Sequence, residues 1–164
     1  MNLSNPGFSM WLMRLAYLVV GAGLFLAMGQ LGNGDIESAV AWTSGLVVGG
    51  GGIISFVRHS IFHRSDAARM QWDLGRRNNF QLEAGFANLA WGATSLAALG
   101  CDWSTRAQGA LIFSYGLYIA MAAALHLFDV FNGSQENGHR PGTAIITAAF
   151  AVALLMIGIN AVQA

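Results

Sequence analysis

The sequence predicts an all-α membrane protein: one domain over residues 1–164, built as a bundle of about five transmembrane helices with one short interfacial helix. Three observations lead there. The 164 residues are 55% hydrophobic and only 10% charged, whereas a soluble domain carries about 25% charged residues to face water. Five apolar stretches each approach the ~20 residues that cross ~30 Å of hydrocarbon at 1.5 Å per residue. Polar breaks rich in Gly, Asn and Asp separate them. Backbone amides cannot stay unpaired in lipid, so the spans are expected to be helices rather than strands.

The first stretch runs over about Met10–Leu31. Its segment Leu15–Met28, followed by Gly29, has the look of a secretory signal. A signal needs cations ahead of its apolar run, and none precedes Arg14, so the segment is read as a retained span. Gly32-Asn33-Gly34-Asp35 then forms a tight turn. The second stretch, Ile36–Val57, holds Gly45 and Gly49–Gly52. Small residues let helix backbones approach closely in lipid; four consecutive glycines can also loosen or kink a helix. The long connection His59–Asn79 is read as a cytoplasmic loop carrying a short helix, capped by Ser65 and stopped at Gly75. Ala67, Met70 and Leu74 would share the face laid on the membrane surface, with Trp72 as interfacial anchor. The third stretch, Phe80–Leu99, contains Gln81, Glu83 and Asn88 and is the least apolar, so it is expected to face protein more than lipid. Gly100–Ser104 links it to the fourth, Ala107–Val130. The polar loop Asn132–Arg140 leads to the fifth, Thr143–Val162, with Pro141 suited to a first helical turn. Trp11, Trp42 and Trp103 fall at interfacial positions and Trp91 at a core one.

Five spans put the N-terminus, the long loop and Asn132–Arg140 on one side. That side holds Arg14, Arg58, Arg64, Arg69, Arg76, Arg77 and Arg140, against Arg106 alone on the other. Basic residues favour the cytoplasmic side, so the N-terminus is placed in the cytoplasm and the C-terminus outside. A single cysteine, Cys101, excludes intrachain disulfides and thiolate clusters. Zero net charge gives no argument for a nucleic-acid partner. The expected partners are the lipid bilayer and further membrane proteins or a second copy of the chain. Gly49–Gly52 lacks the Lys-Ser/Thr of a phosphate-binding loop.

Ionisable groups inside a membrane are costly and call for a partner or a function. His59 ends the second span, Glu83 begins the third, and the fourth returns His126 and Asp129 to the same side. Three helices thereby bring imidazole and carboxylate groups to one level near the cytoplasmic interface. His59 and His63, four apart, share a helix face, as do His126 and Asp129, three apart. Such donors can ligate Zn, Fe or Mn. A metal ion or haem is accordingly the cofactor class considered, with His59, Glu83 and His126 as ligands and Asn88, Gln81, Asp129 and His63 in support. The alternatives are a proton or small-ligand site, and structural packing in which Glu83 pairs with Arg58, Arg76 or Arg77.

The run Phe80-Gln81-Leu82-Glu83-Ala84-Gly85-Phe86-Ala87-Asn88-Leu89-Ala90-Trp91-Gly92 resembles the hallmark of a bacterial membrane family, the domain of unknown function family 6790. Phe80, Gln81, Glu83, Gly85, Ala87, Asn88, Leu89 and Gly92 stand at its pattern positions. His59, Phe62 and Ala67 are similar to its upstream segment, and His126 to its later histidine. Asn137–Gly142 departs from the Asn-Phe-Ala-Pro-Gly-Asn-like run expected there. The resemblance covers roughly His59–Gly142 and implies an integral membrane protein without bringing an activity. Three functional readings stand beside each other: a cytoplasmic-face polar site, an accessory or assembly subunit of a larger membrane complex, and a small-solute or proton carrier.

Overall fold

The computed structural model describes residues 5–70, 78–132 and 141–164. Among these, every regular element is helical. Helix α1 spans Pro6–Gly32, α2 Ile36–Ile61, α3 His63–Met70, α4 Asn79–Gly100, α5 Thr105–Phe131 and α6 Pro141–Gln163. The boundaries follow from local chemistry. Asn5 Oδ1 accepts from Gly7 N–H at 2.9 Å and Pro6 opens α1, a position where its missing N–H costs no helical bond. Gly34 turns the chain at φ +79°, a conformation side-chain-bearing residues resist. Asp35, Asn78 and Ser104 then cap α2, α4 and α5, accepting from the amides of Ser38, Gln81 and Ala107. Pro141 starts α6, as expected.

Four helices, α1, α2, α5 and α6, are long and apolar enough to cross a membrane. Among the described residues, the other long helix, α4, matches the remaining one of the five expected stretches but falls short of these four in apolarity. The 22 residues of α4 are long enough, but Gln81, Glu83 and Asn88 keep it less apolar. It packs along α2 instead of standing among the greasiest helices. A Cβ on Gly52 would lie 2.7 Å from the Asn88 carbonyl oxygen and 2.9 Å from Gly92 Cα, so the two backbones meet here without side chains between them. Close packing is thus what these glycines do. The helix also widens to π geometry over Thr43–Gly50 and again over Val57–Ile61.

Helix α2 is central: 44% of its apolar window is buried, against 17–28% for α1, α5 and α6. The core gathers Ala27, Val40, Val47, Val48, Ile112, Tyr115, Leu154, Ile157 and Ala161. Large apolar side chains such as Leu18, Phe25, Leu125 and Ile145 point outward, a surface suited to lipid rather than water. Trp11, Trp42 and Trp103 are exposed, while Trp91 packs on the core.

The short helix differs from expectation. It starts at His63, and Ser65 lies inside it, buried, instead of capping it. Its buried residues are Ser65, Asp66 and Ala67, so polar side chains turn into the bundle. The expected Trp72 anchor, Leu74 and the stop at Gly75 lie outside the described residues.

Candidate functional site: a buried carboxylate where four helices meet

Four segments converge at one end of the bundle: the start of α1, the end of α2, the short α3 and the start of α4. Phe8 and Phe62 pack there with ring centroids 4.2 Å apart, joining α1 to the α2–α3 junction. Phe62 leaves helical geometry at φ −102°, ψ 33°, which turns α3 back across the bundle end and carries Asp66 inward. The Asp66 side chain is fully buried.

Its two oxygens are heavily engaged. Oδ1 accepts from Ser9 Oγ at 2.6 Å, from Arg69 Nη2 at 2.9 Å and from Arg69 Nε at 3.2 Å. Arg58 Nε stands 3.6 Å from the same oxygen. Oδ2 accepts from Gln81 Nε2 at 3.2 Å and lies 2.7 Å from His59 Nδ1. The imidazole contact is short but off the ring N–H axis, so it is a close polar approach more than a directed hydrogen bond. Arg58 Nη2 reaches His59 Nε2 at 2.7 Å. Because a guanidinium only donates, Nε2 must accept and the proton resides on Nδ1, toward Asp66. Burial pushes the Asp66 carboxyl up, but His59, Arg58 and Ser9 together outweigh it and hold the group well below the usual carboxylate range.

A second set of bonds fastens α3 to its neighbours. Ser65 Oγ accepts from Ser9 N–H at 3.0 Å and donates to the Asn5 carbonyl at 2.5 Å. Gln81 also donates to the His63 carbonyl at 3.1 Å, and His63 Nδ1 lies 3.0 Å from the Ser60 carbonyl. The approach of α4 to α2 needs Gly85, where a Cβ would collide with Ser60 Oγ.

Two of the sequence-expected residues, His59 and Gln81, therefore meet at this site, and His63 adjoins it through its backbone. The others do not. Glu83 is exposed, because two positions along a helix carry it to the opposite side from Gln81, and Arg58 pairs with Asp66 in its place. Asn88 is buried one level deeper, donating to the Ala84 carbonyl at 2.8 Å and accepting from Tyr115 Oη at 3.2 Å. His126 and Asp129 sit half-buried near the end of α5. Among the described residues no group of three or more His, Cys, Asp and Glu side chains is placed to hold a metal ion. The expected ligand set of His59, Glu83 and His126 is thus not assembled: His59 is turned to Asp66 and Glu83 faces outward.

Asp66, Arg58, Arg69, Ser9 and Ser65 were absent from the sequence-derived set. The one available signal was Asp66 beside Arg69 at i,i+3, an acid set among arginines. Ser9 is 57 residues from Asp66 and carried no signal.

The model of a family described as of unknown function, DUF6790, matches residues 7–164. The chain belongs to that family. The match takes in the whole bundle, beyond the His59–Gly142 region on which the resemblance rested. For this DUF6790 member, neither the curated proteins nor the solved structures provide a match. Any functional reading of the DUF6790 chain consequently rests on its own geometry.

Proposed function

We propose that this chain is a multi-pass protein of the bacterial inner membrane that binds a small polar ligand at the cytoplasmic end of its bundle. The observation that carries the reading is the buried Asp66, ringed by Arg58, His59, Arg69, Gln81 and Ser9 where four helices meet. Charges inside a membrane bundle are expensive, and they mark ligand and ion sites by default. Packing alone would be served more cheaply by apolar side chains, since a buried ion pair seldom outperforms them.

The membrane frame of the proposal has its own support. Helix α4 runs beside α2 along most of its length, from the Gly85–Ser60 approach to the Ser95 hydroxyl donating to the Ser44 carbonyl at 3.0 Å. A helix so paired crosses the same thickness, which makes five spans. The arginine asymmetry then places the Asp66 end in the cytoplasm.

Native mass spectrometry of gently purified protein tests the reading. A retained small molecule, present in wild type and lost in Arg69→Gln, is the expected result. Wild type and variant spectra without any retained species would count against it. A second reading, an accessory subunit, is favoured by the open apolar groove lined by Leu24, Phe25, Met28, Gly29 and Ala153 between α1 and α6. A membrane-protein partner recovered at fixed stoichiometry would support that alternative.

A further inference from the structure

We infer that the ligand of this site is a phosphate-bearing anion, held by the outward edges of the Arg58 and Arg69 guanidinium groups. The inference rests on the ligand-binding reading above and names its chemistry.

The first argument is charge. Among the described residues at the site, two guanidiniums face one carboxylate, and the hydrogen bond from Arg58 fixes His59 as neutral. The described part of the cluster therefore carries an excess positive charge at a place largely shielded from water. An uncompensated buried charge is costly, and an anion removes that cost.

The second argument is the unused donors. Asp66 Oδ1 already accepts three hydrogen bonds and Oδ2 is covered by Gln81 and His59. Arg58 directs Nη2 to a neutral imidazole nitrogen, and its buried Nε–H has no hydrogen-bond partner. Arg69 places Nε and Nη2 on Asp66. A guanidinium has five N–H donors, more than these contacts with the described residues use, and each side chain remains 16% accessible. Two part-accessible planar donor forks at one site match the oxygens of a phosphate in bidentate fashion.

The third argument is depth. The site joins the ends of α1, α2 and α4, at the level where phospholipid headgroups lie. On the cytoplasmic side those headgroups include anionic ones. A lipid phosphate and a soluble phosphate present the same oxygens, and the experiment separates them.

The full chain, delipidated in a neutral detergent, is titrated by intrinsic tryptophan fluorescence melting. The probes are short-chain phosphatidylglycerol, inorganic phosphate, and acetate at matched ionic strength. Saturable stabilisation by phosphatidylglycerol, weakened at least tenfold in Arg69→Gln and only partly restored in Arg69→Lys, is expected. The lysine comparison separates fork geometry from charge. Stabilisation by inorganic phosphate alone keeps the inference and makes the source a soluble phosphate. Equal responses to acetate and to both phosphate probes would overturn it, as would unchanged binding in Arg69→Gln. If Arg58→Gln fails to fold, the two Arg69 variants still decide. A retained molecule without phosphate, lost in Arg69→Gln, sinks the inference but leaves the ligand-binding reading intact. No retained molecule and no saturable anion response would sink both.

Discussion

Asp66 is the residue on which the site depends, and its removal is expected to be severe. Asp66→Asn leaves the part-buried Arg58 and Arg69 without their counter-charge, a change that costs up to about 3–5 kcal/mol, the range for breaking a fully buried pair. Thermal or denaturant melting in detergent measures it. The sign of the pH dependence follows from the depressed carboxyl. Its folded value lies below the unfolded value of about 3.9, so its contribution is fully present above that value and is lost as pH falls below it toward the folded value. Wild type should melt at a nearly constant temperature, as far as this group is concerned, from pH 7 to about pH 5 and show an added loss below about pH 4. Asp66→Asn should lack that acid-side loss; an identical acid limb in both proteins would place the sensitivity elsewhere. Glu83 gives the contrast. It is exposed, so Glu83→Gln should change stability by no more than about 0.5 kcal/mol, despite standing in the most recognisable run of the sequence. Asn88 lies between these cases: its bond from Tyr115 Oη ties α4 to α5. Tyr115→Phe should cost about 0.6 kcal/mol, the mean for interhelical bonds in a membrane protein.

At the scale of elements, Gly52 of α2 and Gly21 of α1 are unequal. A side chain on Gly52 would meet backbone atoms of Asn88 and Gly92, which cannot swing aside, whereas a Cβ on Gly21 meets nothing within 4 Å. Gly52→Leu should therefore lose at least about 1–3 kcal/mol through overpacking, and Gly21→Leu should be close to silent in the same melting assay. Equal losses at the two positions would contradict the packing described for α2 and α4. The π-helical turn Val57–Ile61 has a related consequence. A wider turn reduces the angle between successive side chains, which helps the neighbours Arg58 and His59 reach one carboxylate. Such turns occur often at functional sites, and here the turn coincides with the residues proposed to bind the ligand. Helix α3 is held by hydrogen bonds that Ser65, Asp66 and the His63 carbonyl accept from Ser9 and Gln81, and by one that Ser65 donates to Asn5, rather than by an apolar face.

For the whole molecule, the proposed topology is open to a direct check because Cys101 is the chain's single cysteine and is exposed. It lies in the turn between α4 and α5, which the proposed topology puts outside. A membrane-impermeant maleimide added to intact spheroplasts should label it at a rate close to that in detergent. Labelling only after permeabilisation would invert the topology and move the Asp66 site to the opposite face. The architecture also divides the labour. Helices α5 and α6 form a tight hairpin, with Gly109 against Ala161 and Gly158 against Phe113. The charged site belongs to α1–α4.

Helicity, the approximate ends of the long helices, the breaks at Gly32–Asp35 and Gly100–Ser104, and the start at Pro141 were legible because they depend on local propensities: apolar run length and turn residues act over a few positions. The level of the polar groups was legible for the same reason, since alternating spans bring chain ends to known sides. The sequence could not say which way each polar residue faces. His59 and Gln81 meet at Asp66 while Glu83 turns away, and that outcome depends on the π turn, the bend at Phe62 and the rotation of α4 set by its glycine contacts with α2. Nor could it pair Ser9 with Asp66, because a hydrogen bond across 57 positions leaves no periodic trace. The one-dimensional pattern determined a helical membrane bundle with polar groups gathered at one end. Only the tertiary packing decided that a buried carboxylate stands at their centre, because the facing of a side chain is fixed by the neighbours it must pack against.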